Sequence, residues 1–230
     1  MMRIKNVLCL LLAVAMIFTL CACGSDEKVS GDVDKSDVAE PSGSVNAETD
    51  SEFDIGHVNG GKYENSFFAF GCEVDSGWTY ATEDELLSVH DDIMGEFSDE
   101  EIKEQLMNAD MFYDMMVSSN DGYANINVVI QNIGIMYGTI YSEDKIVEMN
   151  IDQLPDTLAS AGMEVQSIEP TTIELAGAER SAIKMHNVYQ GVDVYQTAVL
   201  IKNGSYLANI TISSYMNDIT SDLAALFYAL

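Results

Sequence analysis

The stretch RSAIKMHNVYQGVDVYQTAVLIKNGSYLANITIS, residues 180–213, decides the fold. It reads as three strands, Arg180 to Tyr189, Val192 to Lys202 and Ser205 to Ser213. They are rich in β-branched and aromatic residues and are punctuated by Gln190-Gly191 and Asn203-Gly204. Two-residue turn signals between such runs predict antiparallel hairpins, here a meander. Working backwards, Met163 to Ile168 and Thr171 to Leu175 read as further strands. Before them, Glu143 to Ala161 has helical spacing through Ile146, Met149, Leu154 and Leu158. Pro155 should kink or split that helix, and Gly162 ends it.

Upstream, Phe67 to Val74 reads as a strand that runs to a turn at Gly77-Trp78. Thr82 and Glu85 form a capping box that opens a helix reaching about Met94. Ser98 with Glu101 opens a short second helix holding Ile102, Leu106 and Met107. Met111 to Val117 and Tyr123 to Gln131 read as strands around the turn Asn120-Asp121-Gly122. In the second of these, Ala124, Ile126, Val128 and Ile130 alternate with Asn125, Asn127 and Gln131, the pattern of a half-buried strand. Ser221 starts a terminal helix with Leu223, Leu226 and Phe227. Strands and helices are segregated along the chain, so the fold class is α+β, an antiparallel β-sheet flanked by helices.

The N-terminus carries a different message. Arg3 and Lys5 precede an apolar run from Val7 to Leu20, too short for a comfortable membrane span. Leu20-Cys21-Ala22-Cys23 then has the form of a lipobox, with Ala22 just before the acceptor and Leu20 at the third position before it. Residues 1–22 are therefore expected to be a lipoprotein signal peptide, with Cys23 as the lipid attachment residue and mature N-terminus. Residues 23–62, rich in Ser, Gly, Asp, Glu and Val, are expected to form a disordered acidic tether. Residues 63–230 are expected to form the domain. The expected location is extracytoplasmic, anchored by lipid to the cell membrane.

The formal charge of the chain is −28, and losing residues 1–22 removes Arg3 and Lys5 but no acid, leaving about −30. Such a surface repels nucleic acid phosphates and anionic lipid. Processing removes Cys9 and Cys21 and acylates Cys23, so Cys72 would be the sole remaining thiol, with no disulfide partner in the chain.

Candidate chemistry is sparse. Cys72 with His90 or His186 is the best available nucleophile pair, but a lone strand cysteine reads first as a small buried apolar residue. His57, His90 and His186 have no metal-ligand spacing, and His90-Asp91-Asp92 are consecutive helix residues that do not face one point. Asp32, Asp34 and Asp37 lack the glycine and terminal glutamate of a calcium loop. Glu100-Glu101 suits a helix start. Met107, Met111, Met115 and Met116, with Phe112 and Tyr113, read as core filler before an adaptable binding face. Trp78 and Tyr80 read as packing beside a turn. No metal, no cofactor and no catalytic residue is expected, and no ligand-binding residue is assigned.

Several phrases, in order, resemble the PsbP-like family. They are Tyr63-Glu64-Asn65 leading to Gly77-Trp78, Ala124-Asn125-Ile126-Asn127-Val128, and Gly162-Met163 closing a helix. Then come Leu175-Ala176-Gly177-Ala178-Glu179 before a hairpin with Val194-Tyr195-Gln196, and Tyr206-Leu207-Ala208-Asn209-Ile210-Thr211 before the last helix. Relatives often have Pro-x-Gly-Trp where Asp75-Ser76-Gly77-Trp78 stands here. The resemblance implies an α/β/α sandwich, a sheet between helices, and an accessory role through protein contacts without shared catalytic residues. The expected function is a lipid-anchored accessory or protein-binding module with a protein partner. The alternative is a surface lipoprotein that binds a small ligand or a divalent cation.

Overall fold

A computed structural model describes residues 53–94 and 110–230, apart from the side chains of residues 89–94. The expected signal peptide, Cys23, the expected tether up to residue 52, the helix expected at 98–107 and Met107 lie outside those residues.

Seven antiparallel strands form the main sheet: β4 (Trp78–Tyr80), β5 (Met111–Ser119), β6 (Ala124–Asn132), β7 (Glu164–Leu175), β8 (Ala178–Tyr189), β9 (Val192–Asn203) and β10 (Tyr206–Tyr215). Their spatial order is β4-β5-β6-β10-β9-β8-β7, so the meander of 180–213 supplies one half and the β5–β6 hairpin joins it against β10. The two-residue loop from β8 to β9 puts both Gln190 and Gly191 at positive φ, as a type I′ turn requires. The two strands expected between residues 163 and 175 are one continuous strand. It runs through Pro170 because β7 is at the sheet edge, where a missing N–H leaves no ladder bond unmade.

One face of this sheet is covered by helices. α1 (Glu83–Met94) begins at the expected capping box: Thr82 N donates to Glu85 Oε2 at 2.8 Å, and Glu85 N donates to Thr82 Oγ1 at 3.3 Å. α2 (Gly134–Ile140) was not expected. Its close approach to the β9–β10 turn depends on Gly138, where a Cβ would lie 2.1 Å from the carbonyl oxygen of Gly204. Lys202 Nζ donates to the carbonyls of Gly138 and Tyr141 and so satisfies the C-terminal end of α2. The helix expected over 143–161 splits into α3 (Glu143–Ile151) and α4 (Leu154–Ser160), with Pro155 in the first turn of α4, where its missing N–H is harmless. Ile146, Val147, Leu154 and Leu158 pack onto Ile183, Met185, Val194 and Leu200.

The other face is shared by the short α5 (Thr220–Ala224) and a second, four-stranded sheet. Its strands are β1 (His57–Asn59), β2 (Lys62–Asn65), β3 (Phe70–Glu73) and β11 (Phe227–Ala229), in the order β1-β2-β3-β11. The fold class is therefore α+β with an antiparallel sheet flanked by helices, but one covering layer is largely β. Two details differ from the sequence reading. Phe227 is on a strand, since the terminal helix stops at Ala224 and the chain turns back to pair with β3. Residues 53–62, expected as tether, belong to the folded unit: Phe53 stacks on Tyr206 at 4.1 Å and β1 pairs with β2.

Candidate functional site

Cys72 lies on β3 between Tyr63 of β2 and Phe227 of β11 in the ladders, buried in the core between the two sheets. Burial pushes its thiol up to about 12, so it is neither a thiolate nor open to substrate. His186, on β8 of the other sheet, is engaged elsewhere: its Nε2 is 2.7 Å from Asp193 Oδ1 and its ring stacks on Tyr195. His57 is exposed on β1 opposite Glu64, and His90 falls within α1. The structure thus does not bring Cys72 and His186 together. In the native protein, Cys72 is expected to alkylate at pH 8 roughly a thousandfold more slowly than in urea, the factor that three units of thiol pKa imply. Iodoacetamide labelling followed by mass spectrometry measures this, and equal rates in the two states would refute it.

The methionines do not form one face. Met115 packs between the sheets and Met116 under the helices, on opposite sides of β5. Trp78 packs at the rim of the inter-sheet core, and Tyr80 OH donates to the carbonyl of Cys72 at 3.2 Å. These residues therefore act as core, the reading their pattern suggested first. Among the described residues, no group of three His, Cys, Asp or Glu side chains could hold a metal ion.

Two buried polar arrangements were not foreseen. The first centres on Asp114, which sits where the β5–β6 register shifts between Tyr113 and Met115. Its carboxylate accepts from Gly56 N at 2.9 and 3.0 Å, from Asn65 Nδ2 at 2.9 Å and from the hydroxyl of Tyr63. Desolvation, and then the nearby charge of Asp114, push the Tyr63 phenol well above its ordinary range, so it stays a donor. This cluster ties the incoming chain and β2 to the main sheet.

The second is a belt of uncharged polar side chains across the middle of the main sheet, on its helix-covered face. Period-two alternation, together with the cross-strand pairs Asn127–Thr211, Asn125–Ser213 and Ser213–Gln196, puts them on one side. Asn187 of β8 and Asn209 of β10 continue the belt, level with Val194 and Leu200 of the helix-side core. The alternation in β6 was read as half-buried, yet Asn125 is 1% exposed and Asn127, Gln196, Thr211, Ser213 and Asn187 are 0% exposed. Both faces of the strand are inside.

Part of the belt is satisfied internally. Asn127 Nδ2 donates to Asn125 Oδ1, Asn125 Nδ2 donates to Ser118 Oγ and to the carbonyl of Val117, and Gln196 Nε2 donates to Ser213 Oγ. The rest is not. Gln196 Oε1, Thr211 Oγ1 and both polar atoms of the Asn187 amide are buried without a hydrogen-bond partner. On α3, which packs on β8 and β9, Asn150 Oδ1 is in the same condition. An unsatisfied buried polar group costs about 1–3 kcal/mol, so leaving several in one layer is an expensive arrangement for packing alone. The sequence signal was present, since Asn and Gln recur on one face of four adjacent strands. It reads as a solvated face until a helix layer is known to cover it.

No family model matches the chain, and no curated protein matches it. Among solved structures it is similar to the cyanobacterial PsbP (CyanoP) of Synechocystis sp. PCC 6803, at 12% identity and a TM-score of 0.44, over 83% of this chain and all of that one. It is also similar to a protein of Bacteroides thetaiotaomicron, at 9% identity and a TM-score of 0.42, over 75% of this chain and 49% of that one.

Proposed function

We propose that this protein is a non-catalytic binding module held outside the cytoplasm by a lipid on Cys23, where it serves as an accessory subunit to a protein partner. The observation that carries the reading is Leu20-Cys21-Ala22-Cys23 after a short apolar run, with an acidic stretch from Cys23 to the first described residue, Phe53. A flexible linker of that length keeps the domain at high effective concentration near the membrane, which favours weak contacts with neighbours there. The engagement of Cys72 and His186 in separate structural roles supports a role without nucleophilic catalysis. The formal charge of −28 argues against a nucleic acid partner.

The test compares the protein with its Cys23→Ser variant in the native cell. The expected wild-type N-terminal peptide starts at Cys23 and carries a diacylglycerol mass, and the variant leaves the membrane fraction. A mature chain starting elsewhere, or an unmodified Cys23, would overturn the anchor. Cross-linking in the same cells should yield one dominant partner that is lost with the anchor. A membrane-bound protein with no reproducible partner would overturn the accessory role.

A second reading, a surface lipoprotein that binds a small ligand, is favoured by the unpartnered polar groups of the belt.

A further inference from the structure

We propose that the polar belt under the helices is a binding site for a small uncharged solute carrying hydroxyl or amide groups. This deepens the small-ligand reading and is independent of the anchor.

Position argues first. Thr211 and Gln196 are diagonal neighbours across the β10–β9 ladder, because Gln196 pairs with Ser213, and Gln196 and Asn187 are diagonal across β9–β8, because Asn187 pairs with Val194. The two diagonals run in line, so Thr211 and Asn187 lie on opposite sides of Gln196; at about 7–8 Å between Cα atoms, the open groups of Thr211 and Gln196 fit around one small molecule, with Asn187 beyond it. All three residues are fully buried, and Gln196 Oε1, Thr211 Oγ1 and the Asn187 amide have no hydrogen-bond partner. The same face holds Val194, Ala198 and Leu200, so the sheet has apolar residues at alternate positions and departs from them only at the belt. Local departures of this kind, made at a cost to stability, are characteristic of functional sites.

Chemistry fixes the class. The free groups there are an amide oxygen on Gln196 and a hydroxyl on Thr211, so the site both gives and takes hydrogen bonds. Hydroxyl and amide groups answer in both directions. No belt residue carries a charge, so an ionised ligand would lose its hydration with nothing to replace it.

The test is an NMR titration of the full-length protein, following the side-chain amide signals of Gln196. The probes are acetamide and glycerol, with acetate and glycerol phosphate as their charged counterparts. Saturable shifts are expected with at least one uncharged probe and not with its charged counterpart. Thr211→Val, which is isosteric and removes a buried unpartnered hydroxyl, should weaken that binding at least tenfold while the protein melts no lower than wild type. The double variant Thr211→Val/Gln196→Met should abolish it. Non-saturating shifts with both uncharged probes would overturn the proposal. So would equal shifts from the charged counterparts, or unchanged binding in Thr211→Val. If Thr211→Val melts several degrees lower with no saturable probe in the wild type, ordered water alone satisfies the belt and the proposal fails. Lipidation of Cys23 does not enter these measurements, so the anchor and the belt fail or stand separately.

Discussion

Asp114→Ala is expected to lower the unfolding free energy by about 3–5 kcal/mol, among the largest losses open to a single side chain here. The substitution removes one acceptor that Tyr63 OH, Asn65 Nδ2 and Gly56 N share. Tyr63 and Asn65 are fully buried, so their donors cannot turn to water. Urea denaturation should show a lower midpoint with an unchanged slope. Asp114→Asn tests the mechanism, because its amide nitrogen would face donors while only one oxygen still accepts; it should recover part of the loss and no more. In a cycle with Tyr63→Phe the two changes should be strongly non-additive, since either one disrupts the same cluster. A loss below about 1 kcal/mol for Asp114→Ala would show that the cluster does not hold β2 to the main sheet.

Phe70→Ala is expected to cost about 3–5 kcal/mol through the cavity it leaves. Phe70 is 1% exposed on β3, and its ring lies 5.9 Å from Tyr63 and 5.9 Å from Phe227, centroid to centroid. It joins three strands of the small sheet and faces the larger one across the shared core. The damage should be uneven. Hydrogen exchange should accelerate first in β2, β3 and β11, while the β8–β9–β10 meander keeps its protection. A uniform rise across both sheets would mean that the two layers unfold as one unit and that Phe70 is not a local keystone.

How much of this was legible depended on the range of the contacts involved. The meander was readable because each hairpin is local and its turn chemistry is explicit: Gln190-Gly191 and Asn203-Gly204 sit where the chain reverses. The capping box at Thr82 and Glu85 was readable for the same reason. The small sheet was not. β1 and β11 have three residues each, too few for a period; β1 turns straight into β2 within a stretch read as tether, and β11 pairs with β3, far away in sequence. α2 was missed because Gly134-Ile-Met-Tyr-Gly-Thr-Ile140 has no capping side chain, no charge and two glycines; the packing of Gly138 against Gly204 holds it in place.

The candidate site was less legible than the fold. Asp114 stood in a run otherwise read as core strand, and only the register shift beside it turns its carboxylate toward β2. Asn125 and Asn127 were seen, but the same alternation describes a wet face and a covered polar one. Local pattern fixes which side of the strand they occupy, while tertiary packing decides what that side meets.

The placement of β11 bears on how the molecule reaches its native state. Phe227 pairs with Cys72, and Tyr228 OH donates to Glu64 across a separation of 164 residues. The meander and the β1-β2-β3 strands can close through short loops, but β11 must wait until the two ends of the domain meet, which makes its docking a late and slow step. Until then the inter-sheet core, with Ile126, Ile210 and Ile212, stays open on one side. A chain caught at that stage would be sticky and easily clipped by proteases, so survival in the cell depends on how quickly the last strand docks.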